Sequence, residues 1–204
     1  MFITFEGIDG SGKSTQISLL AKFLEELGHE VVTTREPGGT EFSEQIRELL
    51  LFSKQIINPI AELFLFEAAR AQLITSVINP SIESNKIVIS DRYYDSTVAY
   101  QGYGRGLNIE DILMCNAIID KYGAKPDLTF FLDVSFENSL KRRKNSCINK
   151  IDKIEHSGEV FFQKVIDGYR KIANDNPERI VTIDANSEKH ITFEKIKNKI
   201  LEFL

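Results

Sequence analysis

The chain has 204 residues, 42% hydrophobic and 27% charged, and its 25 basic side chains stand against 30 acidic ones for a net charge of −5. That balance suits one globular domain with a sizeable core, and it speaks against a nucleic-acid partner, whose phosphates call for a basic surface. No apolar run approaches the ~18 residues of a membrane span, and Glu6 and Asp9 interrupt the first apolar stretch, so neither a membrane anchor nor a signal peptide is expected.

In chain order, FITFE (2–6) reads as a short apolar strand that runs into a glycine-rich loop. Ile17, Leu20, Ala21, Leu24 and Leu27 then recur at helical spacing over 14–27, with Gly28 as the stop. EVVTT (30–34) is a second strand, ending at the turn REPGGT. Helices are expected over 41–52 and 59–78, the second more apolar than one sheet face requires. KIVIS (86–90) is a third strand that ends at Asp91-Arg92. Asn108 caps a helix over 108–123, which Gly123 is expected to close as a C′ residue. LTFFLDV (128–134) is a fourth strand, and a helix after it leads into 142–158, the most polar and least periodic part of the chain. That segment is expected to be a mobile flap, with a merely disordered surface loop as the alternative. A helix over 159–174, a strand at 179–184 and a helix over 191–203 follow.

Strands that alternate with helices predict an α/β fold, a five-stranded parallel sheet covered on both faces. Ligands in such sheets bind beyond the carboxyl ends of the strands. Cys115 and Cys147 show no metal-type spacing and read as free thiols of a reducing, cytoplasmic setting. His29, His156 and His190 are scattered and suggest no metal site.

Gly7-Ile8-Asp9-Gly10-Ser11-Gly12-Lys13-Ser14, followed by Thr15, matches the phosphate-binding pattern G-x-x-x-x-G-K-[ST] between a strand and a helix. Its glycines let successive N–H groups converge on phosphate oxygens, and the helix that follows adds its positive end. Lys13 would neutralise the β- and γ-phosphates, and Ser14 would ligate Mg²⁺. The chain is therefore expected to bind a nucleotide triphosphate on a P-loop NTPase fold. Two fragments resemble guanine-nucleotide motifs, Asn149-Lys150-Ile151-Asp152 and Asp120-Lys121-Tyr122-Gly123. The first lies in the polar segment rather than at a strand end, and the second closes a helix, so a GTPase is not expected. Asp91, after an apolar strand, is placed to hold the metal directly or through water, and Arg92 puts a planar cation where two phosphates could meet.

EGIDGSGKST (6–15), REPGGT (35–40), FEAAR (66–70), DRYYDSTVAYQG (91–102) and KPDLTFFLDV (125–134) together resemble the bacterial thymidylate kinases, in order from residue 2 to about 184. These P-loop kinases phosphorylate dTMP to dTDP with MgATP. The resemblance implies that Phe66 stacks on thymine, that Arg70 reaches its O4, and that Thr97 and Gln101 read the remaining base edge. It implies that Tyr100 crowds the sugar 2′ position, Pro37 packs on the sugar, and Arg35 and Arg92 hold the acceptor phosphate. Asp9 would face the dTMP 3′-hydroxyl, and Arg142 would pack on adenine.

One essential cation of the family comes from the cradle or from the flap. Gly10 stands where the first type has arginine, so the flap type is implied. Relatives of that type read D-R-[FIL]-[ED] where this chain has Asp152-Lys153-Ile154-Glu155. This leaves Lys153, Arg143 and Lys150 as candidates. The family is commonly homodimeric, in keeping with the apolar helix at 59–78. A kinase of another nucleoside monophosphate or of a deoxynucleoside is the alternative, and a non-catalytic nucleotide-binding regulator is a second.

Overall fold

The computed structural model describes residues 1–123, 125–145, 154 and 157–204. Five strands, β1 (Phe2–Glu6), β2 (Val31–Arg35), β3 (Ile87–Asp91), β4 (Leu128–Asp133) and β5 (Ile180–Asp184), form one sheet in the order β2-β3-β1-β4-β5. Every pairing is parallel. All five residues of β1 are buried, and successive side chains of a strand point to opposite faces, so both faces of the sheet are covered there. The register sets Arg35 and Phe5 opposite Asp91, so three candidate segments finish at one level.

Nine α-helices are described: α1 (Lys13–Glu26), α2 (Glu41–Phe52), α3 (Pro59–Leu73), α4 (Asn79–Glu83), α5 (Tyr94–Thr97), α6 (Ile109–Ile119), α7 (Phe136–Asn145), α8 (Gly158–Asp175) and α9 (Lys189–Ile200). Their starts are chemically marked. Thr40 accepts from the Ser43 N–H and Asn58 from that of Ile60, with Pro59 where a missing donor costs nothing. Asn108 accepts from the N–H groups of Glu110 and Asp111, as expected. Gly28 closes α1 in the left-handed region at φ 91°. No helix among the described residues is long and apolar enough to cross a membrane.

The structure departs from the sequence expectations in four places. The helix expected to stop at 78 runs on through a π turn, Ile74–Ile78, into α4. The Asn79 N–H reaches the Ile74 carbonyl, five residues back, and this widened turn accommodates Pro80, which has no donor to give. The sequence pattern predicts no helix over DRYYDSTVAYQG, yet α5 continues into a second π segment, Val98–Gly104. Gly123 is not a left-handed stop, because α6 ends at Ile119 and Gly123 has no positive φ. A Cβ there would stand 2.7 Å from the Ile74 side chain, so close approach is what requires glycine. Finally, the two ends of the segment over 142–158 that is expected to be a flap are helical, since α7 reaches Asn145 and α8 starts at Gly158. Lys150, Lys153, Cys147 and His156 lie outside the described residues.

Candidate active site

The cradle lies between β1 and α1, with Gly12 at the helix N-cap and φ 101°. Lys13 is buried, and its Nζ donates to the carbonyls of Gly7 (3.0 Å) and Ile8 (3.2 Å). Burial and the nearby Arg92 push its pKa below the ordinary lysine value, against the pull of Asp91 and Asp9. Ser14 and Thr15 are exposed at the start of α1. Gly10 has φ 81°, and a Cβ on it would stand 2.6 Å from the Ser139 carbonyl of α7 and 3.1 Å from Arg143 Cγ. Packing of α7 therefore excludes any side chain at position 10, the place where an arginine in the cradle would have to stand. Arg142, on the same helix, donates to the carbonyls of Ser11 (3.2 Å), Ala185 (2.6 Å) and Ser187 (3.2 Å). It ties the cradle to the turn after β5. Arg143 sits over the Phe162 ring at 5.5 Å and its charge is felt at Asp9.

Ser14 Oγ donates to Asp91 Oδ2 at 3.2 Å, and Lys13 Nζ is 3.8 Å from Asp91 Oδ1. Two hard oxygen donors beside a phosphate cradle fit Mg²⁺, which keeps several waters and takes its remaining ligands from one or two protein oxygens and substrate phosphates.

Arg92 has φ 75°, a conformation that costs a non-glycine residue ~1–3 kcal/mol. Its N–H donates to the Phe5 carbonyl (2.9 Å) and its own carbonyl accepts from Ser90 Oγ (2.7 Å). The guanidinium donates to the Gly7 carbonyl (2.8 Å), Asp9 Oδ1 (2.7 Å), Tyr100 Oη (3.2 Å) and Tyr169 Oη (3.2 Å). Burial alone would raise the Asp9 carboxyl, but Arg92 and Lys13 outweigh it and hold the group at about 2. Behind Arg92, buried Glu6 accepts from the Tyr93 N–H (2.8 Å), Ser96 Oγ (2.6 Å) and Tyr169 Oη (2.9 Å). Burial, with the repulsion of Asp95, lifts Glu6 to about 7.

Beside the cradle opens a cleft. It brings together Asp9, Pro37, Phe66, Arg70, Arg92, Thr97, Tyr100 and Gln101, all the residues assigned to the acceptor except Arg35. Phe66 is half-buried and lines the cleft, so it is not only a core residue. Arg70 is 2% exposed. It donates to Glu36 Oε2 (2.8 Å), Glu67 Oε1 (2.7 Å), Asn116 Oδ1 (3.3 Å) and Thr97 Oγ1 (2.8 Å). These occupy four of the five N–H donors of a guanidinium. Burial raises Glu36 to about 8 despite the pull of Arg70.

Arg35 is exposed and held on Glu44 by contacts of 3.0 Å to both carboxylate oxygens, along a neighbouring depression that Ser14 and Asp91 also line. Sequence reasoning missed Arg47, which lines the cleft and donates to the Pro37 carbonyl at 2.8 Å. It also missed Glu36, Ser96 and Ile154 on the cleft wall. Nothing in the pattern of α2 separates Arg47 from an ordinary surface charge, whereas Glu36 stood inside the REPGG motif in plain view.

A family described as Thymidylate kinase matches residues 5–196. The chain is 48% identical over 211 residues to a thymidylate kinase of Chlorobaculum parvum, an alignment that covers all of this chain and 95% of the relative. It is 45% identical to one of Kosmotoga olearia, with the same coverage of each. Among solved structures, thymidylate kinase from Ehrlichia chaffeensis superposes with a TM-score of 0.80 at 38% identity, over 98% of each chain.

Proposed function

This chain belongs to the thymidylate kinase family, and we infer that it phosphorylates dTMP to dTDP with ATP as donor. The observation that carries this reading is the position of Asp9. It belongs to the phosphate cradle, yet it lines the acceptor cleft and holds Arg92 at 2.7 Å. Donor and acceptor sites thus share a wall, as direct transfer between two nucleotides requires.

Phosphoryl transfer asks a protein mainly for positioning and for positive charge where phosphates crowd. Lys13 leaves its loop carbonyls for the β- and γ-phosphates of ATP. Arg92 bridges acceptor and transferring phosphates, and Arg35, opposite Asp91 in the sheet, adds a second cation to the acceptor. Ser14 and Asp91 hold Mg²⁺, which offsets phosphate charge. Arg142 packs on adenine. Phe66 stacks on thymine, Arg70, Thr97 and Gln101 meet its edge, Pro37 and Tyr100 flank the sugar, and Asp9 accepts from the 3′-hydroxyl. The further cation comes from Arg143, Lys150 or Lys153. The chain works as one cytoplasmic catalytic domain, paired with a second copy through α3 and α6. Ile60, Phe64, Leu113, Met114 and Ile118 of these helices are each half or more exposed, more apolar surface than solitary helices carry to water.

ADP release measured with dTMP, dUMP, dCMP, dGMP and thymidine tests the assignment. The fastest turnover is expected with dTMP, and faster turnover of any other acceptor overturns it.

A further inference from the structure

A glutamine amide is ambiguous on its own, because its nitrogen donates, its oxygen accepts, and a half-turn exchanges them. At Gln101 the surroundings decide the matter. Glu62 of α3 is buried, and its Oε1 lies 2.9 Å from Gln101 Nε2. A carboxylate accepts hydrogen bonds, so the amide nitrogen faces Glu62 and the amide oxygen is left for the cleft that Gln101 lines. Glu62 is itself fixed. Arg105 donates to it from Nε (3.2 Å to Oε1) and from one Nη (3.4 Å to Oε2). The Arg105 guanidinium in turn lies over the Phe161 ring at 4.9 Å.

The neighbours of Gln101 have the opposite polarity. Thr97 Oγ1 accepts from Arg70 and so keeps its own proton to donate. Arg70 has one N–H beyond the four with acceptors among the described residues. Beside the Gln101 oxygen the cleft wall therefore presents the Thr97 and Arg70 donors, the complement of a ring imide, which carries an N–H between two carbonyls.

We propose that Glu62, backed by Arg105, is a specificity-determining positioning residue: it locks Gln101 as an acceptor and so selects pyrimidines with a protonated N3 over 4-aminopyrimidines. This rests on the reading above that the cleft takes a pyrimidine nucleotide. A 4-aminopyrimidine would set the N3 lone pair against the Gln101 oxygen. Turning the amide to suit it would set that oxygen against the Glu62 carboxylate. Each arrangement leaves like partial charges in contact in a buried place, where such mismatches are costly.

The test compares dTMP with 5-methyl-dCMP, which keeps the ring methyl, sugar and phosphate and changes only the imide edge. A site built on polar complementarity discriminates by about 10⁴-fold in kcat/KM. Glu62→Gln offers Gln101 an acceptor and a donor alike, and it is expected to cut that ratio by at least about 10-fold. It should raise KM for dTMP more than it lowers kcat, with KM for ATP unchanged. Arg105→Met releases the same carboxylate from a partly exposed position, and its ratio decides the question if thermal melting shows Glu62→Gln to be unfolded. An unchanged ratio in the folded variants overturns the proposal, even if dTMP turnover falls, since that marks a merely structural role. A wild-type protein that phosphorylates neither dTMP nor dUMP overturns the kinase reading as well.

Discussion

The cradle and the acceptor cleft meet at Asp9, yet their functional side chains are held by different kinds of partner. In the cradle the hydrogen-bond partners of two cations are main-chain carbonyls. Lys13 donates to two of them and Arg142 to those of Ser11, Ala185 and Ser187. In the cleft the partners are other side chains. Arg70 is shared among Glu36, Glu67, Asn116 and Thr97, and Gln101 is held through Glu62 by Arg105. A carbonyl is present whatever the residue, so the cradle depends on spacing and backbone shape. The cleft depends on several identities at once, and there recognition and stability are coupled.

The sharpest break between the two regions comes from Lys13→Ala. Its hydrogen bonds go to carbonyls already joined to the chain and its carboxylate contacts are long, 3.8 Å to Asp91, so the melting temperature should stay close to that of wild type. Turnover should fall by about 10³-fold or more, because charge facing the transferring phosphate is lost. Coupled ADP release and a thermal melt on one preparation check both halves.

Arg70→Met should do the reverse and act on the fold first. It leaves Glu67 buried without its cation, and Glu36, Asn116 and Thr97 without their donor, a loss of about 3–5 kcal/mol. Urea unfolding measures it, and a loss under about 1 kcal/mol would show that the cleft does not depend on this charge cluster. Asp9→Ala addresses the boundary and should have the smallest effect. It removes one charge-assisted partner, so KM for dTMP should rise by about 10-fold while that for ATP moves little. Equal losses for the two nucleotides would return Asp9 to shaping the loop.

The same division explains which parts of the molecule are legible in its sequence. The order of strands and helices followed from hydrophobic periodicity and from caps such as Asn108 and Gly28. The helix across 94–104 did not, because Tyr, Ser, Thr, Val and Gly are indifferent helix formers. It is packing against α8, through pairs such as Tyr100 with Tyr169 and Phe161, that accompanies this helix. The acceptor residues were named through family resemblance, and eight of them share one cleft, while Arg35 pairs with Glu44 along the adjoining depression.

By itself the sequence determined the parallel α/β frame and the phosphate cradle, because both depend on residues near one another in the chain. Repeated apolar positions define an element, and converging N–H groups need only glycines at set intervals. Tertiary structure alone decided which way the Gln101 amide points, that no side chain fits at position 10, and that Arg47 reaches the cleft. Glu62 and Gln101 stand 39 residues apart, Glu36 and Arg70 stand 34 apart, and Ser139 is far along the chain from Gly10. The polarity of a buried side chain is set by whatever folds against it, and no local spacing encodes that.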